Sequence, residues 1–93
     1  MLIRSIEMKD TIGQRARLRG WLLARQDRGR IVFLSLRDGS GTAQLVCEKA
    51  ALDVALFSRL GSLPLETPID AEGLVAAREG RGGAELQIGR AHV

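Results

Sequence analysis

Phe33 has the chemistry needed to hold an unstacked nucleotide base. It lies in an alternating stretch whose other phase, Val32, Leu34 and Leu36, is apolar, so its ring is predicted to point outward. An outward aromatic ring is a platform on which a base can stack. The pattern leaves a second interpretation open, in which Phe33 packs beneath the N-terminal segment 2–8.

Gln44 and Glu85 lie on the outward phase of two further alternating stretches. The amide of Gln44 can donate and accept at once, so it can pair with the Watson–Crick edge of an unstacked base. The carboxylate of Glu85 can accept hydrogen bonds from the N1 and N2 groups of guanine. The alternative for both residues is an ordinary solvated side chain on a strand.

Arginine supplies most of the positive charge and is concentrated in the first half of the chain. Twelve of the 14 basic residues are Arg; residues 1–40 carry a net charge of +5 and residues 41–93 a net charge of −2. Because the guanidinium group binds phosphate oxygens in a fork, this asymmetry predicts a polyanion-binding face. A GC-rich genome would account for Arg over Lys but not for the asymmetry. The candidate phosphate contacts are Arg15, Arg17, Arg19, Arg25, Arg28 and Arg30. The last three are favoured because they lie where the first strand turns into the next.

The composition excludes several classes of site. One cysteine, Cys47, and one histidine, His92, cannot build a zinc site or an internal disulfide. No apolar run of about 18 residues is present to span a membrane, and no phosphate-binding loop, dinucleotide fingerprint or nucleophile motif occurs. We therefore expect one cytoplasmic domain, 1–93, with no catalytic, cofactor-binding or metal-binding residues of its own. Cys47 is expected to be a buried apolar residue, and Trp21 to lie in the core or where a barrel closes.

Alternation with a period of two predicts five strands, and one stretch has helical spacing instead. The strands are predicted at 15–25, 31–37, 42–47, 69–77 and 84–88, and the helix at 49–60, ending at Gly61. Gly20 predicts a bulge or bend in the first strand. Residues 38–41 predict a hairpin, which an ion pair between Arg37 and Asp38 would stiffen.

Three strands, a helix and two strands are the order of an all-β, five-stranded OB-fold barrel with a helix between strands 3 and 4. Such barrels bind single-stranded nucleic acid on strands 2 and 3. An SH3-like barrel is the competing fold, but it normally lacks a helix of this length after its third strand.

The same residues resemble a known family. The motif Gly20-Trp21-Leu22, the string FLSLRDGSGTAQLV over 33–46 and GGAELQ over 82–87 are similar to the N-terminal anticodon-binding domain of aspartyl- and asparaginyl-tRNA synthetases. These class IIb ligases share the OB-fold with the lysyl enzymes, and the resemblance runs from about residue 13 to residue 93. It implies that Phe33 stacks on an anticodon base, that Gln44 reads the central uracil and that Glu85 contacts the guanine at the wobble position.

The resemblance also implies partners and a larger parent protein. The turn at 25–30 would bind the backbone of the anticodon stem, and the loop at 76–83 would lie near the third anticodon base. The partner would be tRNA for aspartate or asparagine; because these anticodons differ only in the third base, the three readers cannot separate them. The parent would be a homodimeric ligase using ATP and magnesium, from which this domain is excised.

Two departures from the family pattern stand out. Gln26 occupies a position where the family often has another Arg, so a phosphate contact is expected to be missing. The class II catalytic domain is absent from the 93 residues.

Other functions stay open beside this one. A free-standing, general single-strand binder would need several exposed aromatic residues, and the chain has only Phe33, Phe57 and Trp21. The equivalent domain of a lysyl-type ligase is a further alternative. A protein-interaction domain whose Arg-rich strand docks on an acidic partner is the third.

Overall fold

Five long strands, each with apolar side chains on one face, account for most of the chain. The computed structural model describes residues 1–78, 80 and 82–93. Its elements are β1 (Leu2–Ile3), a 3-10 helix (Ser5–Asp10), β2 (Arg15–Asp27), β3 (Ile31–Asp38), β4 (Gly41–Glu48), α1 (Val54–Leu60), β5 (Pro68–Ala77) and β6 (Ala84–His92).

The strands close into a barrel in the order β2-β3-β4-β6-β5, with β5 pairing back onto β2. All of these pairings are antiparallel except that of β4 with β6, which is parallel. The short β1 adds to β2 in parallel outside this ring. The helix α1 follows the third barrel strand, so the predicted OB-fold is confirmed.

The core is formed by the inward phase of each strand together with one face of α1. The apolar phase of β3, Val32, Leu34 and Leu36, is buried as predicted. Further buried side chains are those of Leu18, Ala43, Leu45, Leu60, Val75 and Leu86. Cys47 is fully buried, as expected, and desolvation raises the pKa of its thiol to about 12. The thiol therefore stays protonated and packs as a small apolar group.

Strand β2 departs from the predicted alternation after Leu22. A Cβ on Gly20 would overlap the carbonyl oxygen of Arg37, so the predicted bend lies where β2 leaves β5 for β3. The bulge itself falls between Leu22 and Ala24 and inverts the phase beyond it. Ala24, which a regular alternation would place on the same face as the buried Leu18 and Leu22, is therefore exposed. Trp21 lies where the barrel closes, which was one of its two predicted positions. The other prediction, a position in the core, is wrong because the side chain is 46% exposed.

Helix α1 is shorter than the apolar spacing predicted. It begins at Val54 rather than at residue 49, because the carboxylate of Asp53 accepts hydrogen bonds from the backbone N–H groups of Ala55 and Leu56. The preceding residues form a turn in which the backbone N–H of Ala51 donates to the carbonyl of Glu48. The predicted end at Gly61 is confirmed.

The predicted ion pair between Arg37 and Asp38 does not form. Arg37 instead donates to Glu66 at 2.9 Å and lies over the ring of Trp21, 6.0 Å from its centroid. Asp38 accepts hydrogen bonds from the backbone N–H and the hydroxyl of Ser5, at 2.7 and 2.9 Å, and from the backbone N–H of Ser40 at 2.9 Å. The carboxylate therefore ties the N-terminal segment to the turn between β3 and β4.

Burial alone would raise the pKa of Asp38, but these hydrogen bonds outweigh it and lower the pKa to about 2. The N-terminal segment that they hold was not predicted as an ordered element. It is also anchored by the buried side chains of Ile3 and Met8.

Candidate nucleic-acid interface

Phe33, Gln44 and Glu85 lie on the outer face of three adjacent strands. Phe33 projects from β3 beside Val46 of β4, and Gln44 lies between Ser35 of β3 and Glu85 of β6. All three predicted readers are half-buried. Phe33 is not part of the hydrophobic core cluster or of the side chains packed against it. The structure thus places the ring on the outer face, where a base could stack.

The three side chains line one groove with two lobes that meet at Phe33 and Gln44. We call the first the Glu85 lobe; it lies over β3, β4 and β6 and is also lined by Arg28 and Gln87. The second, which we call the Lys9 lobe, lies between the 3-10 helix and strands β3 and β4. Its lining includes Ser5, Met8, Lys9, Ser35, Thr42 and Gly83.

The amide of Gln44 is held from both ends. Its Nε2 donates to Oε1 of Glu85 at 3.2 Å, and Nη2 of Arg78 donates to its Oε1 at 3.1 Å. Because a guanidinium only donates and a carboxylate only accepts, these two partners fix which end of the amide carries the oxygen. Each end keeps one further hydrogen-bonding position, so Gln44 can still present an acceptor and a donor side by side to a base.

Arg78 is the functional candidate that the sequence did not single out. It comes directly after β5, in the loop predicted to lie near the third anticodon base, and it lines both lobes. An Arg at the edge of a loop predicts no particular contact, since its partner Gln44 lies 34 residues away in the sequence. Residues 79 and 81 of the same loop lie outside the described residues.

The three favoured arginines occupy different places. Arg28 lines the Glu85 lobe beside the readers. Arg25 borders the Lys9 lobe, but its guanidinium donates to the carbonyl oxygen of Leu63, in the connection after α1. Arg30 is exposed in the turn between β2 and β3. Arg25 and Arg28 both line a lobe with Phe33 and Gln44, but only Arg28 lines the lobe that also contains Glu85.

Two of the earlier arginines are engaged on another face of the barrel. Arg17 binds Asp70 through two hydrogen bonds of 2.8 and 2.6 Å, and Arg19 binds the same carboxylate at 2.9 Å. The hydrogen bonds from Arg17, above all, hold the pKa of Asp70 well below its usual range. These arginines stabilise the pairing of β2 with β5.

Gln26, the position at which a missing phosphate contact was predicted, lies at the junction of the two lobes. It is the cross-strand partner of Phe33 and lines both lobes. It therefore faces the groove as a neutral polar group.

Two kinds of feature are absent from the part of the chain that the structure describes. No group of three or more His, Cys, Asp or Glu side chains is placed to hold a metal ion. None of the described helices has the length and apolar character needed to cross a membrane.

Residues 16–93 match the family of OB-fold nucleic acid binding domains named for the tRNA anticodon. The chain belongs to this family. The OB-fold domain is 38% identical to the asparagine–tRNA ligase of Chloroflexus aurantiacus over 78 residues. These aligned residues cover 83% of this chain and 18% of the ligase. It is 39% identical over 71 residues to the aspartate–tRNA(Asp/Asn) ligase of Ehrlichia chaffeensis, covering 76% of this chain and 12% of the ligase.

A solved structure agrees with these relatives. The asparaginyl-tRNA synthetase of Pyrococcus horikoshii superposes on the OB-fold domain with a TM-score of 0.90 at 30% identity, covering 98% of this chain and 22% of the synthetase. The resemblance to the OB-fold domains of aspartyl- and asparaginyl-tRNA synthetases is therefore confirmed. The chain spans less than a quarter of the length of each of these proteins.

Proposed function

We propose that this OB-fold domain binds the anticodon loop of a tRNA for aspartate or asparagine, stacking a base on Phe33 and contacting bases through Gln44 and Glu85. One observation carries the proposal: the aromatic ring, the amide and the carboxylate share one open groove, with the amide and the carboxylate 3.2 Å apart. The choice of tRNA as the partner is supported by the family of the domain and by its similarity to ligases named for these tRNAs.

The fixed amide of Gln44 suits uracil and not cytosine. Its Oε1 can accept from N3–H of uracil while its Nε2 donates to O4. Cytosine presents the reverse pattern, an acceptor at N3 and a donor at N4, so donor would face donor unless the amide rotated. Arg78 and Glu85 oppose that rotation, because it would place like groups against both of them.

Glu85 supports selection of guanine in the neighbouring position. Its carboxylate has about four lone-pair sites, and the contact with Gln44 uses only one of them. The rest can accept from N1–H and N2–H of guanine. Arg28, in the same lobe, is the proposed contact to a phosphate, and Arg25 and Arg30 stay predictions of further backbone contacts.

The parent protein is part of the same proposal. We infer a ligase that attaches aspartate or asparagine to tRNA with ATP and magnesium, acting as a homodimer in the cytoplasm. The reading frame after Val93 tests this directly: a class II catalytic domain there supports a ligase parent, and a stop codon makes the domain a free-standing binder.

A titration with labelled anticodon stem-loops tests the binding mode. One RNA carries guanine and uracil at the first two anticodon positions, and the other has cytosine in place of that uracil. We expect the uracil RNA to bind about ten- to a hundredfold more tightly, since leaving buried polar groups unpaired costs about 1–3 kcal/mol. Equal affinities would refute the proposal in favour of a general single-strand binder. An absence of RNA binding would favour a protein-interaction domain.

A variant of Gln44 sharpens the test. Gln44→Ala should lower the preference for uracil more than it lowers overall affinity, because it removes the reader and leaves the Phe33 platform in place. Gln14→Ala is the matched control, since Gln14 precedes β2 and lies outside both lobes. If Gln44→Ala weakened both RNAs equally, Gln44 would not be the reader.

A further inference from the structure

A second surface lies on the outer faces of β2, β5 and β6 and shares no lining residue with either lobe of the groove. It consists of two hollows that meet at Asp70. The first, which we call the Trp21 hollow, has an apolar lining that includes Trp21, Pro68 and Ile69. The second, which we call the Arg90 hollow, has a charged lining. The proposed RNA contacts leave both hollows without a ligand.

The Arg90 hollow and its border carry more positive than negative charge. Arg15, Arg17 and Arg19 alternate along β2 and so project from one face of that strand. Arg90 of β6 lies on the far side of β5, and β5 supplies two carboxylates between these arginines. Four guanidinium groups therefore face two carboxylates, which leaves an excess of positive charge on this surface.

The excess belongs to Arg15 and Arg90, since Arg17 and Arg19 both bind Asp70. The guanidinium of Arg15 reaches β6, where its Nη2 would lie 3.5 Å from a Cβ added to Gly89. Arg15 takes part in none of the ion pairs among the described residues. The side chain of Arg90 is 81% exposed, and its Nε comes no closer than 3.9 Å to a carboxylate oxygen of β5. Both cations are therefore available to an anionic group.

The Trp21 hollow has the composition of an anchor site for a protein partner. The ring of Trp21 is partly exposed, and Arg37 lies over it while donating a hydrogen bond to Glu66. A side chain held in this way needs little ordering when a partner binds. Tryptophan and arginine are enriched among the residues that dominate the binding energy of protein interfaces. The hollow therefore suits a large apolar side chain of a partner.

The arrangement of charge favours a protein over RNA on this surface. A nucleic-acid backbone carries negative charge at every nucleotide, so the carboxylates of Asp70 and Glu72 would oppose it, and it has no aliphatic side chain for the Trp21 hollow. A protein segment can carry apolar residues at one end and acidic residues at the other. From Trp21 to Arg15 the surface follows β2 for about 20 Å, the length of an extended segment of about six residues.

We propose that this surface docks a protein segment in which one or two large apolar residues adjoin a run of acidic residues. The apolar residues enter the Trp21 hollow, and the acidic residues bind Arg15 and Arg90. The domain then binds RNA through the groove and a protein through β2, β5 and β6 at the same time.

A peptide titration tests the surface, because Trp21 is the only tryptophan in the chain and its fluorescence reports on the hollow. The probes are peptides in which two leucines precede or follow four glutamates. We expect one of these peptides to bind at millimolar concentration or below and to shift the emission of Trp21 to shorter wavelength, because leucine displaces water from the indole. Replacing the glutamates by glutamines, or the leucines by serines, should weaken binding by about tenfold.

Charge reversal locates the acidic end of the segment. Arg15→Glu and Arg90→Glu should each weaken binding of the leucine–glutamate peptide by about three- to tenfold at low salt, and by less at high salt. Arg59→Glu on α1 is the matched control, since it changes the net charge equally outside both hollows. It should leave the affinity for the peptide within about twofold of the wild type, and all three variants should bind the anticodon stem-loop alike.

The proposal is overturned if no peptide changes the emission of Trp21, or if the glutamine peptide binds as tightly as the glutamate peptide. It is also overturned if double-stranded RNA displaces the peptide, which would assign the surface to a second RNA contact. Sedimentation of the chain as a dimer that Arg90→Glu dissociates would assign it to a second copy instead. Because the readout is Trp21 and not RNA affinity, these outcomes are distinct from a failure of the proposed anticodon binding.

Discussion

At the residue scale, the selectivity proposed for Gln44 depends on which end of its amide faces the base. Alternation along β4 predicted that Gln44 points outward, and the same rule placed Phe33 and Glu85 on that face. The sequence could not reveal that Arg78 and Glu85 hold the amide, because those contacts join residues 34 and 41 positions apart. A side chain's direction follows from local periodicity, but its partners follow from how the barrel closes.

Arg78→Ala tests this orientation. Without the guanidinium, the amide of Gln44 can rotate to suit cytosine, so the preference for uracil over cytosine should fall by about three- to tenfold. The measurement is the same pair of stem-loop titrations, with Arg59→Ala on the exposed side of α1 as a control. A variant that weakened both RNAs alike would show that Arg78 binds the backbone and does not position Gln44.

At the scale of the elements, the carboxylate of Asp38 ties the N-terminal segment to the turn between β3 and β4. The hairpin at 38–41 was predicted from its turn residues, and it forms. The predicted partner of Asp38 was wrong. Arg37 is adjacent in the sequence and so favoured a local ion pair, but in the folded protein Asp38 binds Ser5. Ser5 lies in a segment whose sequence shows no recognisable pattern. The position of the bulge in β2 was not predicted for a similar reason. Gly20 predicted a bulge or bend in this strand, but the residue at which the phase inverts depends on the register with β3.

The low pKa of Asp38 predicts a loss of stability in acid. Its pKa is about 2 in the folded protein against an ordinary value of 3.8, so the stabilising contribution is fully present above about pH 4. It is lost as the pH falls through about 2. Allowing for its partial exposure, the contribution is about 1–2 kcal/mol.

Urea unfolding of the wild type and of Asp38→Asn measures this contribution. The two proteins should differ by that amount at neutral pH and converge near pH 2. A difference that stayed constant across the whole pH range would contradict the assignment to the ionised carboxylate.

At the scale of the whole molecule, the charge asymmetry along the chain is partly cancelled by the fold. Arg17 and Arg19 from the basic half bind Asp70, and Arg37 binds Glu66, with both acids supplied by the other half. Net charge per segment correctly indicated a nucleic-acid-binding family, but it could not show which arginines a closed barrel would pair internally. The fold itself was predictable because five alternating stretches and one helix leave few topologies.

Closure of the barrel makes Gly73 indispensable. A Cβ at this position would overlap the carbonyl oxygen of Gln87, where a bulge brings β5 and β6 close together. We expect Gly73→Ala to lower the free energy of unfolding by about 2–4 kcal/mol. Gly39→Ala is the matched control, because a Cβ at Gly39 meets no atom within 4 Å, and it should change stability by less than about 0.5 kcal/mol. Equal stability of the two variants in urea would show that β5 and β6 can separate without cost.

Alkylation of the buried thiol of Cys47 can be used to measure how readily the barrel opens. The sulfur of Cys47 is the only thiol in the chain, it has no exposed surface, and its raised pKa keeps it out of the reactive thiolate form. An alkylating reagent can therefore modify the protein only during excursions that break the pairing of β4 with its neighbours. The rate of this single modification reports the population of the opened barrel, and RNA bound across β4 would lower that rate by a factor of one plus the ratio of the free RNA concentration to Kd.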